Sequence, residues 1–310
     1  MSLRRFIPSP APASGVLPVM TGAAMISLSP VCVKLAHVGP TTAGFYRMLF
    51  GGLMLAALLL ITRQGLRVQR RNLGLCLVCA VFFALDLTFW HRSIHIVGPG
   101  LATILSNFQV FFLAGFGALF FGERLTWRMW LAIPLAMLGL FLLVGMHQGG
   151  LGPDHLSGLG YGFLTALCYA SYLLCLRRLQ LDQDAAAAMA HMTVISLACA
   201  AIMGLEAYAQ GESLVIPDGQ TWTALVGYGL AGQVLGWVLI SRGLPRTPAS
   251  LGGLLLLLQP TLSFIWDVLF FARPTGALEA AGACGALLAI YLGAGGRRQP
   301  AAPARPGPRG

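Results

Sequence analysis

A chain of 310 residues that is 57% hydrophobic and only 10% charged, with a mean hydropathy of +0.77, is not built as a soluble domain, because soluble domains carry about 25% charged residues. Its formal charge of +10 does not make it a nucleic-acid binder. The basic residues sit in short connections between long apolar runs, which is a topology pattern rather than a docking face.

The apolar runs fall at 16–36, 42–62, 73–91, 98–121, 126–146, 158–179, 185–207, 221–241, 248–272 and 275–293. Each is near the roughly 20 residues a helix needs to cross a bilayer. They predict an all-α polytopic membrane protein of ten transmembrane helices. In chain order, residues 1–15 form a Pro-, Ala- and Arg-rich tail, expected to be disordered. The first run resembles a signal peptide in position, but it continues to Lys34 without a convincing cleavage site and nine more follow. The second carries Arg47, the third Asp86 and the Cys76-x-x-Cys79 pair, and the fourth Ser106, Asn107 and Gln109. After the fifth, residues 147–157 form a connection between two halves. The sixth run carries Thr165, Tyr169 and Tyr172 at i, i+4, i+7, hence on one helix face. The seventh holds His191, the eighth Gln233 and Trp237, the ninth Gln259, Pro260 and Asp267, and the tenth Glu279. Residues 294–310 are a second basic, Pro-rich tail. The two cysteines lack a second pair or nearby histidines at ligand spacing, so packed thiols are expected rather than a metal or redox site.

With the first terminus inside, 16 of the 20 basic residues lie on the inner side, and only Arg92 and Arg273 fall in outer connections. This bias predicts cytoplasmic termini. An offset of 150 aligns Phe108-Gln109-Val110 with Leu258-Gln259-Pro260, and Phe120-Phe121-Gly122-Glu123 with Phe270-Phe271-Ala272-Arg273. Pro99 meets Pro248 at 149, Lys34 meets Arg177 at 143, and Arg47 meets His191 at 144. Residues 16–146 and 158–293 are therefore expected to be two five-helix repeats. Five is odd, so the second copy enters from the opposite side. Transporters with inverted repeats bind substrate near the midplane where the repeats meet.

Gln109 and Gln259 fall at that depth. An amide in hydrocarbon costs several kcal/mol unless it finds partners, so each either bonds a neighbouring helix or faces a cavity. Ser106, Asn107, Tyr169, Tyr172, Gln233 and Trp237 extend the same candidate wall. Gly232-x-x-x-Gly236 offers a close-packing surface. Ionisable residues inside spans are functional candidates. Lys34, Asp267 and Glu279 lie near the outer surface, where pairing or interfacial water suffices. Arg47 either pairs with a carboxylate or binds a substrate carboxylate. Asp86 is the candidate proton carrier, unless a fixed pair with Arg47 or Lys34 holds it ionised. His91 and His95 are expected in a solvated outer loop, His191 to bond a carbonyl, and Trp90 and Trp266 to anchor at the interface.

The segment LFFGERLTWRMWLAIPLAMLGLFLLVG (119–145), with Gly122-Glu123-Arg124-Leu125 at the end of the fourth span and Gly139 beyond it, resembles EamA-type transporters of the drug/metabolite transporter superfamily. Pro260 and Arg47 match positions where such transporters commonly carry proline and arginine. Arg273 stands where the second repeat often has glutamate, and Val110 where the first has proline. The resemblance implies a secondary transporter of amino acids or related metabolites, driven by protons or by the substrate gradient. A channel or partner subunit is a further reading. A lipid-modifying enzyme is disfavoured by ten scattered acidic residues. No Walker motif is present, no cofactor or metal is expected, and the partners implied are a small solute and the bilayer. The chain would act as a monomer or homodimer. Abundant arginine, alanine and glycine point to a bacterial inner membrane.

Overall fold

The computed structural model describes residues 13–66, 68–123, 125–144 and 155–295, and among these it holds only helices and their connecting turns. The tail residues 1–12 and 296–310, most of the expected connection between repeats (145–154), and Arg67 and Arg124 lie outside the described residues. Ten helices are long and apolar enough to cross a membrane: α1 (Gly15–Leu35), α2 (Pro40–Ile61), α3 (Arg70–Gly98), α4 (Gly100–Phe121), α5 (Trp127–Val144), α6 (Leu156–Leu179), α7 (Ala185–Gln210), α8 (Gly219–Arg246), α9 (Ala249–Phe271) and α10 (Ala277–Ala294).

One boundary differs from the sequence expectation in a way that matters. The third span runs past residue 91 to Gly98, carried on by Ile94, Ile96 and Val97. It stops only where Gly98 adopts φ 82°, a conformation that favours glycine, and Pro99 follows. His91 and His95 are therefore helical rather than in a loop. His95 is exposed and His91 half-buried.

The helices pair as α1 with α8, α2 with α7 and α8, α3 with α6 and α7, α4 with α9, and α5 with α10. Adding or subtracting five from every label turns this set into itself. Equivalent helices lie an odd number of crossings apart, so they traverse the layer in opposite directions. That is the pairing two inverted five-helix repeats produce. Small residues allow the closest approach. A methyl on Gly139 of α5 would lie 2.6 Å from the Ala286 nitrogen and 2.7 Å from the Gly282 oxygen of α10, so these helices touch backbone to backbone.

Four helices are irregular near mid-depth. Helix α1 breaks between Ile26 and Ser29. Helix α4 breaks at Phe108 (φ −59°, ψ −11°) and α9 at Leu257 (φ −64°, ψ −11°), each just before a glutamine-bearing segment. The two breaks fall within one residue of equivalent positions in the repeats and share one geometry. Pro260 falls in the first turn after its break, where a missing N–H leaves no intrahelical acceptor unserved. Helix α8 is π-helical over Gly229–Trp237, a widening that often accompanies functional sites. Broken backbone at membrane depth is tolerated where protein or a cavity satisfies it.

The two ends of the bundle are closed differently. At the end that gathers Arg63, Arg70, Arg71, Arg128, Arg177, Arg178, Arg242 and Arg246, called here the basic face, Glu123 reaches from the end of α4 to the start of α9. Its carboxylate accepts from Ala249 N (2.7 Å), Ser250 N (3.2 Å), Ser250 Oγ (2.9 Å) and Arg177 Nη1 (3.4 Å). At the opposite face, Glu212 accepts from the Thr42 N–H (2.9 Å) and hydroxyl (3.0 Å), and the Tyr46 hydroxyl donates to Leu214 O (2.5 Å). His37 Nδ1 meets Asp218 at 2.8 Å. His37, Val38, Gly39, Glu212, Ser213, Val215 and Pro217 line a cavity of about 380 Å³ there.

Candidate functional site

Helices α3, α6 and the π-helical part of α8 contribute an aromatic cluster. Phe83 stacks on Tyr172 with centroids 4.5 Å apart, and Trp237 sets its edge against both, at 5.3 Å and 5.0 Å. Tyr169 completes the group, 6.3 Å from Tyr172 and 6.1 Å from Trp237. The i, i+4, i+7 face of α6 is thus turned inward as its spacing predicts. Thr165, at the N-terminal end of that face, donates to the Asp86 backbone oxygen (3.4 Å).

Polar atoms with no partner concentrate here. Among the described residues, the buried side-chain atoms without a hydrogen bond are Ser29 Oγ, Arg47 Nε, His91 Nδ1, Gln109 Oε1, the Tyr172 hydroxyl, Gln233 Oε1, Trp237 Nε1 and Gln259 Nε2. Six of these eight atoms belong to residues singled out by sequence as substrate-binding. Buried polar groups are ordinarily satisfied, so a cluster of exceptions asks for a bound solute or water. Gln233 spends its amide on Ser196 Oγ (2.8 Å) and keeps its carbonyl free.

Arg47 is 6% exposed. Its Nη1 is 3.4 Å from the Tyr228 hydroxyl, and its guanidinium lies over the rings of Tyr228 (5.0 Å) and Phe83 (5.8 Å). Asp86 is within electrostatic reach, yet no described carboxylate comes within 4 Å of the guanidinium. Lys34 is no partner for Asp86 either. It pairs with Asp267, which Arg273 also approaches at 3.6 Å. Neither fixed ion pair considered for Asp86 is present.

The remaining candidates divide. Gln259 is half-buried and lies beside Tyr169, joining the cluster. Gln109 is 1% exposed. Ser106 Oγ and Asn107 Nδ2 both bond back to the Thr103 oxygen, at 2.9 Å and 2.7 Å, inside their own helix. Those two side chains serve the break before Phe108. His191 bonds the side-chain oxygen of Gln180 (3.1 Å) and meets Asn72 (3.3 Å). The Glu279 carboxylate accepts from Gly276 N (2.9 Å). Trp266 donates to Ser27 Oγ (2.8 Å) across the break in α1, so it ties helices together instead of standing free at the interface.

Sequence did not single out Phe83, Ser29, Ser196, Tyr228 or Glu206. Glu206 falls inside the seventh run, so its charge alone could have found it, and it accepts from Thr88 Oγ1 at 2.5 Å. The others are ordinary residue types with nothing in the local pattern to separate them from packing.

The comparisons with known proteins agree with this geometry. Residues 13–145 and 156–294 each match the EamA-like transporter family, so the chain contains two copies of one unit. The pseudopaline exporter CntI of Pseudomonas aeruginosa, in strains UCBPP-PA14 and PAO1, is 25% identical over 272 residues, covering 87% of this chain and 92% of the exporter. A protein of known crystal structure superposes with a TM-score of 0.76 at 19% identity over 91% of this chain and 98% of its own, which supports the fold. Two matched copies spanning nearly all of the ten helices settle the matter: the chain belongs to the EamA-like transporter family.

Proposed function

We propose that the protein is a secondary transporter that exports a small amphiphilic metabolite, an amino acid or related solute, across the cytoplasmic membrane by alternating access. The observation that carries this reading is the mid-depth cluster in which Tyr169, Tyr172 and Trp237 form an aromatic wall and Arg47 Nε, Gln233 Oε1 and Trp237 Nε1 lack partners. Such a surface matches a solute with an apolar body and a few hydrogen-bonding groups. The outward direction draws on the exporter relative. The basic face is assigned to the cytoplasm because Lys and Arg accumulate on that side of membrane proteins. Asp86, mid-way along α3 and free of a fixed ion pair, is the group proposed to couple transport to protons.

The test is a comparison of metabolites in the medium of cells with and without the protein, followed by flux of the solutes found in sealed proteoliposomes. A defined solute should accumulate outside only when the protein is present, and Trp237→Ala should abolish its flux. Identical media, or flux indifferent to Trp237→Ala, would refute the assignment.

A further inference from the structure

Two helices that start at opposite ends of the bundle do not supply their own caps. Helix α2 begins after Gly39 and α9 after Pro248, and neither residue offers a side-chain acceptor to the first free N–H groups. Helices α7 and α8 show the ordinary arrangement, in which Asp184 accepts from the Ala187 N–H and Asp218 from the Thr221 N–H, each at 2.7 Å. For α2 and α9 the cap comes from elsewhere in the chain. Glu212, just beyond α7, accepts from the Thr42 N–H and hydroxyl. Glu123, just beyond α4, accepts from the N–H groups of Ala249 and Ser250.

Both contacts cross between the two matched units, in opposite senses. Glu123 reaches from the first to the second at the basic face, and Glu212 from the second to the first at the opposite face. A methyl on Gly39 would fall 2.6 Å from Glu212 Oε2, so this carboxylate seats directly on the backbone that leads into α2. The His37 N–H extends the same seam to Thr221 Oγ1 (3.1 Å), and Gln220 Nε2 to Leu35 O (3.1 Å). Repeats that part at one face must pull α2 from Glu212, and at the other must pull α9 from Glu123. A cap supplied across such a joint suits repeated opening, because water entering the cleft serves the freed N–H groups and the freed carboxylate. The two contacts are unequal. Glu123 is 10% exposed and backed by Arg177, whereas Glu212 is half-buried and, among the described residues, has no cation within 4 Å.

We propose that Glu212 and Glu123 are the two latches of the transport cycle. Releasing α2 from Glu212 opens the face opposite the basic one, releasing α9 from Glu123 opens the basic face, and each opening leaves the other latch made. Both are made in this structure, which is therefore shut at the two joints. The proposal rests on reading the protein as an alternating-access transporter, and it adds the contacts that hold each face closed. Glu212, without a cation behind it, is the latch that yields first.

The test is hydrogen exchange on the purified full-length chain in detergent, read by mass spectrometry with deuterium oxide as the only probe. Residues 41–46 report the start of α2, and 249–253 the start of α9. Losing a cap shifts a local equilibrium about five- to thirtyfold. Glu212→Gln should speed exchange in 41–46 by at least about fivefold and slow it in 249–253, because molecules opened at one face are withdrawn from those open at the other. Glu123→Gln should do the reverse. Gly39→Ala keeps every charge and should copy Glu212→Gln by displacing the carboxylate. The slowing at the far end decides, since a cap with a purely structural role loosens its own helix and leaves the other alone. Exchange that changes only at the altered end overturns the latches. So does faster exchange at both ends, the mark of a destabilised bundle. The functional reading fails separately. Local loosening in a protein whose solute flux depends on Trp237 removes the latches and leaves the transporter. Reciprocal exchange in a protein that carries no flux keeps the two coupled joints and removes the transporter.

Discussion

Glu123 offers the most quantitative handle on the fold. Its carboxylate takes two backbone N–H groups and one hydroxyl at the start of α9, at 2.7, 3.2 and 2.9 Å, and Arg177 at 3.4 Å. Glu123 and Arg177 are each 10% exposed as side chains. Removing a helix cap costs about 1 kcal/mol and at most about 2. Hydrogen bonds to a charged group are each worth about 1.5–3 kcal/mol when measured by deletion. These figures describe overlapping effects of one group and are not summed. Glu123→Ala should therefore lower stability by about 3 kcal/mol. Glu123→Gln keeps the shape and one acceptor but loses the charge that suits a helix N-terminus, so about half that loss is expected. Ser250→Ala should cost about 1 kcal/mol, and the double variant should fall short of additivity because the two residues share a bond. Denaturant unfolding in micelles, followed by far-ultraviolet circular dichroism, measures all four. A loss below about 0.5 kcal/mol for Glu123→Ala would mean that the contact is surface decoration and would refute the reasoning.

Three further outcomes follow from the same geometry. Asp86→Asn should abolish solute accumulation driven by a pH gradient while preserving solute exchange; unchanged pH-driven transport in folded protein would end the carrier role. At the opposite face, burial would raise the Glu212 carboxyl, but the bonds from Thr42 and Thr41 outweigh it and hold it below its usual value; the bond from His37 pulls Asp218 down to about 2. Both folded values lie below the unfolded ones, so their contribution is complete above about pH 4.5 and is lost as pH falls from there toward 2; hydrogen exchange in residues 212–218 should rise over that window in the wild type, and Glu212→Gln should flatten the rise. Gln259 lies beside Tyr169, so Gln259→Leu should weaken solute binding about five- to thirtyfold for one to two lost bonds, and unchanged affinity in folded protein would remove it from the site.

The depth of the site was legible in the sequence, and its facing was not. Span length and the 150-residue offset place Gln109 and Gln259 at mid-membrane, and both breaks fall beside them. Which way each side chain points depends on helix phase, and residues 98–121 are apolar on every side, so no polar stripe fixes that phase. Tyr169 and Tyr172 could be phased because Thr165 shares their face. Asn107 and Ser106 read as cavity residues by proximity, yet short polar side chains compete for their own helix carbonyls, and they do so here at Thr103. The orphaned donors of Ser29 and Arg47 emerge only when three helices are brought together around Gly232. The clamp at Glu123 is equally non-local, joining positions 126 and 127 residues apart. Family resemblance marks Glu123 as notable without saying what it touches.

The inverted repeat carries one more consequence, visible in where its carboxylates lie. Arg177 on the basic face corresponds to Lys34 on the opposite one, so each end has its cation. Glu123 corresponds to Arg273, a change of sign. The anion has not vanished from the second repeat, because Asp267 stands at the position equivalent to Gly117, and a methyl on Gly117 would meet Glu123 Oε2 at 2.7 Å. The acidic group has shifted by six residues, from the end of the helix to its last turns, and it still meets the matching cation: Glu123 with Arg177, Asp267 with Lys34. The shift changes what the carboxylate can do. Glu123 reaches a helix N-terminus in a poorly solvated pocket. Asp267 is 21% exposed and bonds cations that are 50% and 32% exposed, where an ion pair is worth about 0–1 kcal/mol and is weakened by salt. Asp267→Asn should thus cost less than 1 kcal/mol and lose even that in 0.5 M salt, a condition about three times physiological strength, while the cost of Glu123→Gln persists. Equal losses, or equal salt sensitivity, would show that the two ends are closed by equivalent contacts. If they are unequal as argued, the basic face is the harder end to open.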